Sequence, residues 1–284
     1  MQSLNSFTKD YTLHHEQIEK LSEIVDLLSE ISNQIDVESS SSISYVIQKV
    51  QVKYFLAAIS EFNNSIFDAV SKNNLSVAES LSRISIEMSV NLIFILGGDR
   101  HARSKGLVKS YLESTKKKAK KWEKYAIKVD CVPGKQAAIN LHKTMEFHEA
   151  YLKNISDLPF ESWPNTSADK FCIAGYEDAY RTTFASSSDS VHLLGEDIFN
   201  ITICTFERQN VQAAMLAGLR AEKESFAIFL LIQSLLFQSE AVIKTFEKLG
   251  GCEIETPQVM GLVTKLHKMQ EQHESDHKKH SLNL

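Results

Sequence analysis

Ser188 and His192 stand four residues apart in the stretch YEDAYRTTFASSSDSVH, residues 176–192. On a continuing helix that spacing brings the hydroxyl within reach of the imidazole. Histidine is the side chain that moves protons near neutral pH, so an acid–base role for His192 with Ser188 beside it is one reading. The other reading is structural, because serines near a helix end satisfy backbone groups and a histidine among them can do the same. Nucleophilic chemistry needs a third group that orients the base, and spacing alone identifies none.

Arg83 and Glu87, in LSRISIEMSVNLIF, are also four apart and share one helix face. Their helix soon becomes apolar on every side, and a charge buried there is costly unless it is paired. The two either form an ion pair that anchors a neighbouring helix or line a functional cleft. Satisfaction of the Glu87 carboxylate leads to a specific expectation. Glu87 and His192 approach each other, directly or through Arg83 or Ser188, in one polar network.

A third group is basic. TKKKAKKWEKYAIK holds Lys116, Lys117, Lys118, Lys120, Lys121, Lys124 and Lys128 around Trp122. Lysines around an aromatic can hold RNA through phosphate contacts and stacking, with Lys117, Lys120, Lys121 and Lys124 as the candidate contacts. The alternative is a solvated helix face.

Metal and cofactor chemistry has less support. The histidines His273, His277 and His280 include a chelating four-residue step, but they lie on a polar tail; His142, Glu146 and Glu149 share a helix face without a second ExxH-type helix to complete a di-metal bundle. No GxGxxG, P-loop or HExxH occurs. No metal and no cofactor is expected.

The elements that must position these groups read as helices. Ten glycines and four prolines in 284 residues are few, and sheets need more turns than helical hairpins do. Apolar residues at Ile18, Leu21, Val25, Leu28 and Ile35 mark a helix over 13–35 that is close to a coiled-coil stripe. A second helix is expected over 43–72, capped by the serines at 39–42. A third opens with a Ser76–Glu79 capping box and stops at Gly97. Asp99 caps a charged helix to about 127, Pro133-Gly134 breaks the chain, and another helix follows over 135–154. After a proline-bearing loop at 156–170 come a short helix over 167–174, two or more helices over 196–249, and a last one from a Thr256 cap to about 272. Seven to ten helices and no significant sheet result.

The net charge of −5 argues against a globally basic nucleic-acid binder while leaving room for a local patch. Four scattered cysteines without a CxxC pair, and a start that lacks the apolar core of a signal peptide, suit a reduced, cytoplasmic chain. The most apolar window, FAIFLLIQSLLF at 226–237, is shorter than the roughly 20 residues of a bilayer span and reads as a buried helix, with no membrane contact expected.

Two blocks together resemble a known family. One is the R-x-x-x-E helix of Arg83 and Glu87 followed by NLIFIL; the other is NTSADKFCIAGYEDAYRTTFASSSDSVH. The pattern resembles domain of unknown function 5677, over about residues 45–205, and that family is similar to the HEPN (higher eukaryote and prokaryote nucleotide-binding) helical superfamily. The resemblance implies an all-α, HEPN-like bundle, often bacterial. It also implies a metal-independent endoribonuclease or toxin of anti-phage defence, acting as a homodimer, with RNA and a protein of the same defence system as candidate partners. Carried over, His192 is the acid–base group and Arg181 the phosphate partner. Arg181 and His192 have ten residues between them, more than the superfamily's motif leaves. On one straight helix they stand about 16 Å apart, so both cannot touch one phosphate, and Arg83 is the alternative.

The expected organisation is an N-terminal amphipathic extension over 1–42, a HEPN-like core over 43–205, C-terminal helices packing on it over 206–272, and a polar tail over 273–284. Two functions from different classes follow: an RNA-cleaving effector, or a non-catalytic protein-interaction or sensor module whose polar network is structural. The 13–35 stripe, together with the resemblance, leads to the expectation of a homodimer.

Overall fold

The run VNLIFIL is apolar at every position but Asn91, and its helix lies at the centre of the fold. In a computed structural model of the chain, residues 14–38, 43, 45–98, 101–155, 160–185, 196–250 and 255–281 are described. They form α1 (His15–Gln34), α2 (Val46–Ser71), α3 (Leu75–Leu96), α4 (Ala102–Lys128), α5 (Val132–Ile155) and α6 (Ser167–Ala174). The chain continues through α7 (Glu177–Ala179), which runs into one π-helical turn (Tyr180–Phe184), then α8 (Glu196–Thr205), α9 (Gln209–Leu249) and α10 (Glu255–Ser281). These ten α-helices, with no strand among the described residues, are the expected all-α bundle.

Helices α1, α2, α3, α9 and α10 share one core. Ile86, Val90, Leu92 and Ile95 of α3 are fully buried with Ile59 and Ile66 of α2 and Leu231 and Leu235 of α9. The α1 stripe is used inside this core: Leu21, Ile24, Val25 and Leu28 are buried within the same cluster, so the stripe offers no seam to another chain. The window at 226–237 belongs to a much longer helix. Val211–Leu249 is long and apolar enough by length and composition to cross a membrane, and 72% of its most apolar window is buried inside the fold.

An uncharged polar network sets the register of these helices. Asn63 donates to Gln238 (2.6 Å) and accepts from Ser85 (2.8 Å) and Ser234, while Gln238 donates to Ser60 (3.0 Å) and Ser32 (3.2 Å). Every member is buried, so a slip of any one helix would strand a polar group without water.

Several boundaries differ from the sequence expectation, each for a backbone reason. The Ser76–Glu79 capping box does not form: α3 opens at Leu75 after Asn74, which makes no side-chain cap bond, and Glu79 is buried. The left-handed Asn73 (φ 58°) turns the chain there, with its N–H bonded to Val70. The break before α5 falls at Asp130 (φ 52°) rather than at Pro133, which sits in the first helical turn where its missing N–H costs nothing. Tyr45, not a serine, precedes α2, again without a side-chain cap bond, and residues 39–42 and Asp99 lie outside the described residues. Helix α10 begins at Glu255 and runs to Ser281, past the expected end near 272. His273, expected on a loose tail, is buried: its Nε2 lies 2.8 Å from Gln17 Oε1, and its ring lies over His14 with centroids 3.6 Å apart.

Candidate functional site

The polar row of α3 is longer than the sequence reading took it to be. Arg83, Glu87 and Asn91 follow at steps of four on one face, and opposite them lie α6 and the π turn. Helix α6 is short, and its ends are fixed locally. Thr166 caps it by accepting from the Asp169 N–H (3.1 Å), and Gly175 closes it in the left-handed region at φ 87°, where glycine carries no Cβ penalty. So anchored, α6 turns Lys170 and Phe171 inward.

Lys170, only 7% exposed, donates from Nζ to Glu87 Oε1 (2.9 Å) and to Asn91 Oδ1 (2.9 Å). Ser167 donates to the same Glu87 oxygen at 2.7 Å. Burial alone would push the Glu87 carboxyl up; the hydrogen bonds from Lys170 and Ser167, with the charges of Lys170 and Arg83, outweigh it and hold the group below the ordinary carboxylate range. The Glu87 side chain keeps 33% of its surface in solvent. Arg83 does not pair with Glu87 as a direct bridge. It donates to the Phe184 carbonyl (3.3 Å) and lies over the Phe184 ring at 4.2 Å, so its charge reaches Glu87 at longer range.

Two supports hold this cluster. On one side Trp163 meets Phe94 edge-on at 5.1 Å and faces the Lys170 ammonium at 5.7 Å. Its segment is fastened to α4: Arg103 bonds Glu161 (2.9 Å) and the Phe94 carbonyl (2.9 Å), and a Cβ on Gly106 would stand 2.0 Å from the Glu161 oxygen. On the other side Phe171 is ringed by Phe184 (4.9 Å), Tyr180 (5.5 Å) and Phe237 (6.0 Å). Phe184 is therefore a core residue, Tyr176 and Tyr180 pack half-buried against the core, and Tyr176 adds a hydrogen bond to Glu240 (2.9 Å).

Chemically, this is a clamp. An ionised carboxylate that accepts from an ammonium and a hydroxyl is a poor general acid at neutral pH. Two surface clefts lie elsewhere, one lined by Ile31, Ile35 and Phe246, the other by His15, Asn73 and Arg220. Ser188 and His192 lie outside the described residues, and with them the expected approach of His192 to Glu87. Arg181 is not brought to the row. Its side chain is 71% exposed and bound to Glu177 on its own turn (2.6 Å and 3.1 Å). Sequence reasoning missed Ser167, Lys170 and Asn91. The signal present was the four-residue step continuing from Glu87 to Asn91, and a lysine beside Phe171 on a short amphipathic helix.

The lysines lie on a separate structure. Helices α4 and α5 pack chiefly on each other as a hairpin, stitched by Lys116–Glu149 (2.8 Å) around Leu112, Ala119, Ala126, Ala138 and Met145. Lys117, Lys120, Lys121 and Lys124 are exposed, and so are Trp122 and Tyr125. Residues 102–155 hold thirteen Lys and Arg against five Asp and Glu, a balance of +8; the rest of the chain, with eighteen against thirty-one, stands at −13. Among the described residues no group of three or more His, Cys, Asp or Glu could hold a metal, and His142 pairs with Glu146 at 3.3 Å.

No curated protein matches the chain, and no solved structure does. A match to a family of unknown function spans α3, the hairpin, α6, the π turn and α8. By that match, over residues 49–209, the chain belongs to the family of unknown function DUF5677.

Proposed function

We propose that this is a HEPN-like helical protein that acts on RNA, with the α4–α5 hairpin as its RNA-contacting element. In this reading the Arg83–Glu87–Lys170 cluster is a structural clamp. The observation that carries it is the concentration of positive charge on one projecting hairpin of an otherwise acidic chain. Lys117, Lys121, Lys124 and Lys128 follow at steps of four, three and four, which puts them on one face over about 16 Å. Tyr111, Lys118, Trp122 and Tyr125 form the adjoining stripe, so phosphate-neutralising and base-stacking groups lie side by side.

Binding of a fluorescent single-stranded RNA, followed by anisotropy across a salt series, tests this. Each phosphate neutralised on a single strand adds about 0.7 to the salt slope. Four lysines therefore lead to a slope of about 3, which Lys117→Glu with Lys121→Glu and Lys124→Glu should reduce to about 0.7, the single remaining contact of Lys128. No binding at low salt, or a slope that ignores the substitutions, refutes it. The same preparation separates the two classes of function. RNA cleavage lost in His192→Ala at unchanged fold assigns a metal-independent ribonuclease, whereas binding without cleavage assigns a non-catalytic module. The engagement of Glu87 and Lys170 in packing favours the second.

A further inference from the structure

Helix α4 is fastened to the rest of the fold at its base, and the two sides of that base differ. On the α3 side Arg103 bonds the Phe94 carbonyl and Glu161, its guanidinium lies 4.2 Å over the Phe94 ring, and the Glu161 N–H donates to the Ala102 carbonyl (3.2 Å). On the α2 side, Tyr45 and His101, the residues that precede α2 and α4, lie ring on ring with centroids 3.7 Å apart. Gln51 Nε2 donates to the Ser104 carbonyl (3.0 Å). Gln48 stands between Tyr45 and Gln51 at steps of three, so one face of α2 carries all three toward α4. Here the seam closes over polar atoms. Gln48 is 1% exposed and Ser104 fully buried. Gln48 Nε2, Gln51 Oε1 and Ser104 Oγ are shut off from solvent, and none has a hydrogen-bond partner among the described residues. By contrast, the equally buried Asn63 and Gln238 are bonded across helices. An enclosed amide or hydroxyl without a partner is unfavourable, and water restores the bond wherever the surfaces part.

We propose that the α2–α4 seam is an opening joint built into the fold: the α4–α5 hairpin swings about its Arg103–Glu161 side, parting α4 from α2 and hydrating Gln48, Gln51 and Ser104. The hairpin can move as a unit, since α5 packs chiefly on α4. Parting by about 3 Å, one hydrogen-bond length, across a helix about 10 Å wide turns α4 by roughly 17°. Lys128 lies 24 residues beyond Ser104, about 36 Å along the helix, and is carried about 10 Å. Each polar group that water regains shifts the balance toward the open form by about tenfold, against the loss of the Tyr45–His101 contact and the Gln51 bond. In its effect on RNA the inference rests on the hairpin being the RNA-contacting element, because opening moves the lysine ridge relative to the α3–α6 clamp. The opening itself does not depend on that reading and is measured without RNA.

Spin-label distances on the full chain test the proposal. One label goes on the exposed Cys131 at the far end of the hairpin and the other on Glu61→Cys, an exposed site of α2, with Cys172→Ser and Cys252→Ser removing competing thiols. The expected distribution has a second population about 10 Å longer than the closed distance. Gln48→Met with Ser104→Ala, which keep the packing and remove two unpartnered groups, should reduce that population at least tenfold. Thermal unfolding gives a second measure. The midpoint of the Gln48→Met, Ser104→Ala variant should hold or rise, whereas Ser85→Ala, the same change at a serine bonded to Asn63, should lower it. A single closed distance in the parent chain overturns the proposal, as does an open population that ignores the two substitutions. A midpoint that falls in the Gln48→Met, Ser104→Ala variant overturns it too, because the seam atoms would then be partnered in the folded protein.

Discussion

Removing either member of the Glu87–Lys170 pair should cost more than the pair itself contributes. Breaking a fully buried pair costs about 3–5 kcal/mol, because one charge is left without compensation. Lys170 is buried to that extent, but Glu87 keeps a third of its side chain in solvent, and water reaching the site lowers the figure. For Glu87→Gln we expect about 2 kcal/mol: the amide oxygen can still accept from Lys170, but the ammonium loses its counter-charge. For Lys170→Met, which keeps the stem and removes the charge, we expect about 1–2 kcal/mol, since Glu87 retains Ser167 and water. The double variant should cost about 1 kcal/mol, well below the sum, giving a coupling of about 2 kcal/mol.

The same pair has a pH signature. The folded-state carboxyl of Glu87 is held below its ordinary value of 4.5, so its contribution is complete above that pH and lost as pH falls through the folded value. Glu87→Gln should remove that acid-side loss and leave the neutral side flat. Urea unfolding at pH 7 and down a series to pH 3 measures both, with the melting temperature moving about 2–4 °C per kcal/mol for a chain of this size. Additive single costs, or singles each under about 0.5 kcal/mol, would refute the clamp and return Glu87 to the cleft reading.

Gly106→Ala should destabilise the protein by about 1–3 kcal/mol and loosen the Trp163 segment, because the new methyl would stand 2.0 Å from the Glu161 carbonyl oxygen; Trp163 fluorescence against a Trp122→Phe background reports it. Burial, and then the charge and hydrogen bond of Glu240, raise the Tyr176 hydroxyl above its usual 10, so its contribution is complete below pH 10 and lost as pH rises further. Tyr176→Phe should cost about 1 kcal/mol at pH 7 and abolish that alkaline loss, which unfolding at pH 9 to 11 measures.

How much of this was legible in the sequence depends on whether the information is local. The periods of α1, α2, α3 and the α4 lysine helix were legible because a buried stripe writes itself at steps of three and four. The starts of α3 and α5 were not, because left-handed Asn73 and Asp130 make those turns through the backbone, with no side-chain cap to see. The same split runs through the site. That Glu87 needs partners follows from desolvation, whereas Ser167 and Lys170 lie about eighty residues on, and nothing local names them. Arg181 shows the converse: its Glu177 at i−4 was in plain view and is the pairing that forms.

The placement of Arg83 ties these local and distant terms together. A π turn bonds residue i to i+5, as the Ala185 N–H does to the Tyr180 carbonyl, so the helix is widened where Tyr180 and Phe184 stack at 5.7 Å. Arg83 closes that widened end: it takes up the Phe184 carbonyl and covers the Phe184 ring, while Lys170, on the preceding helix, holds the same α3 face through Glu87. Two cations from different elements thus share one carboxylate's neighbourhood without a third charge. The Glu87 charge is compensated from α6 as well as from α3 itself, and the π turn supplies a carbonyl for the second cation. A substitution at Arg83 therefore acts first on the exit of the π turn, from which residues 186–192 continue, and only through its field on Glu87. That order of effects is what distinguishes a positioning arginine from one that binds phosphate.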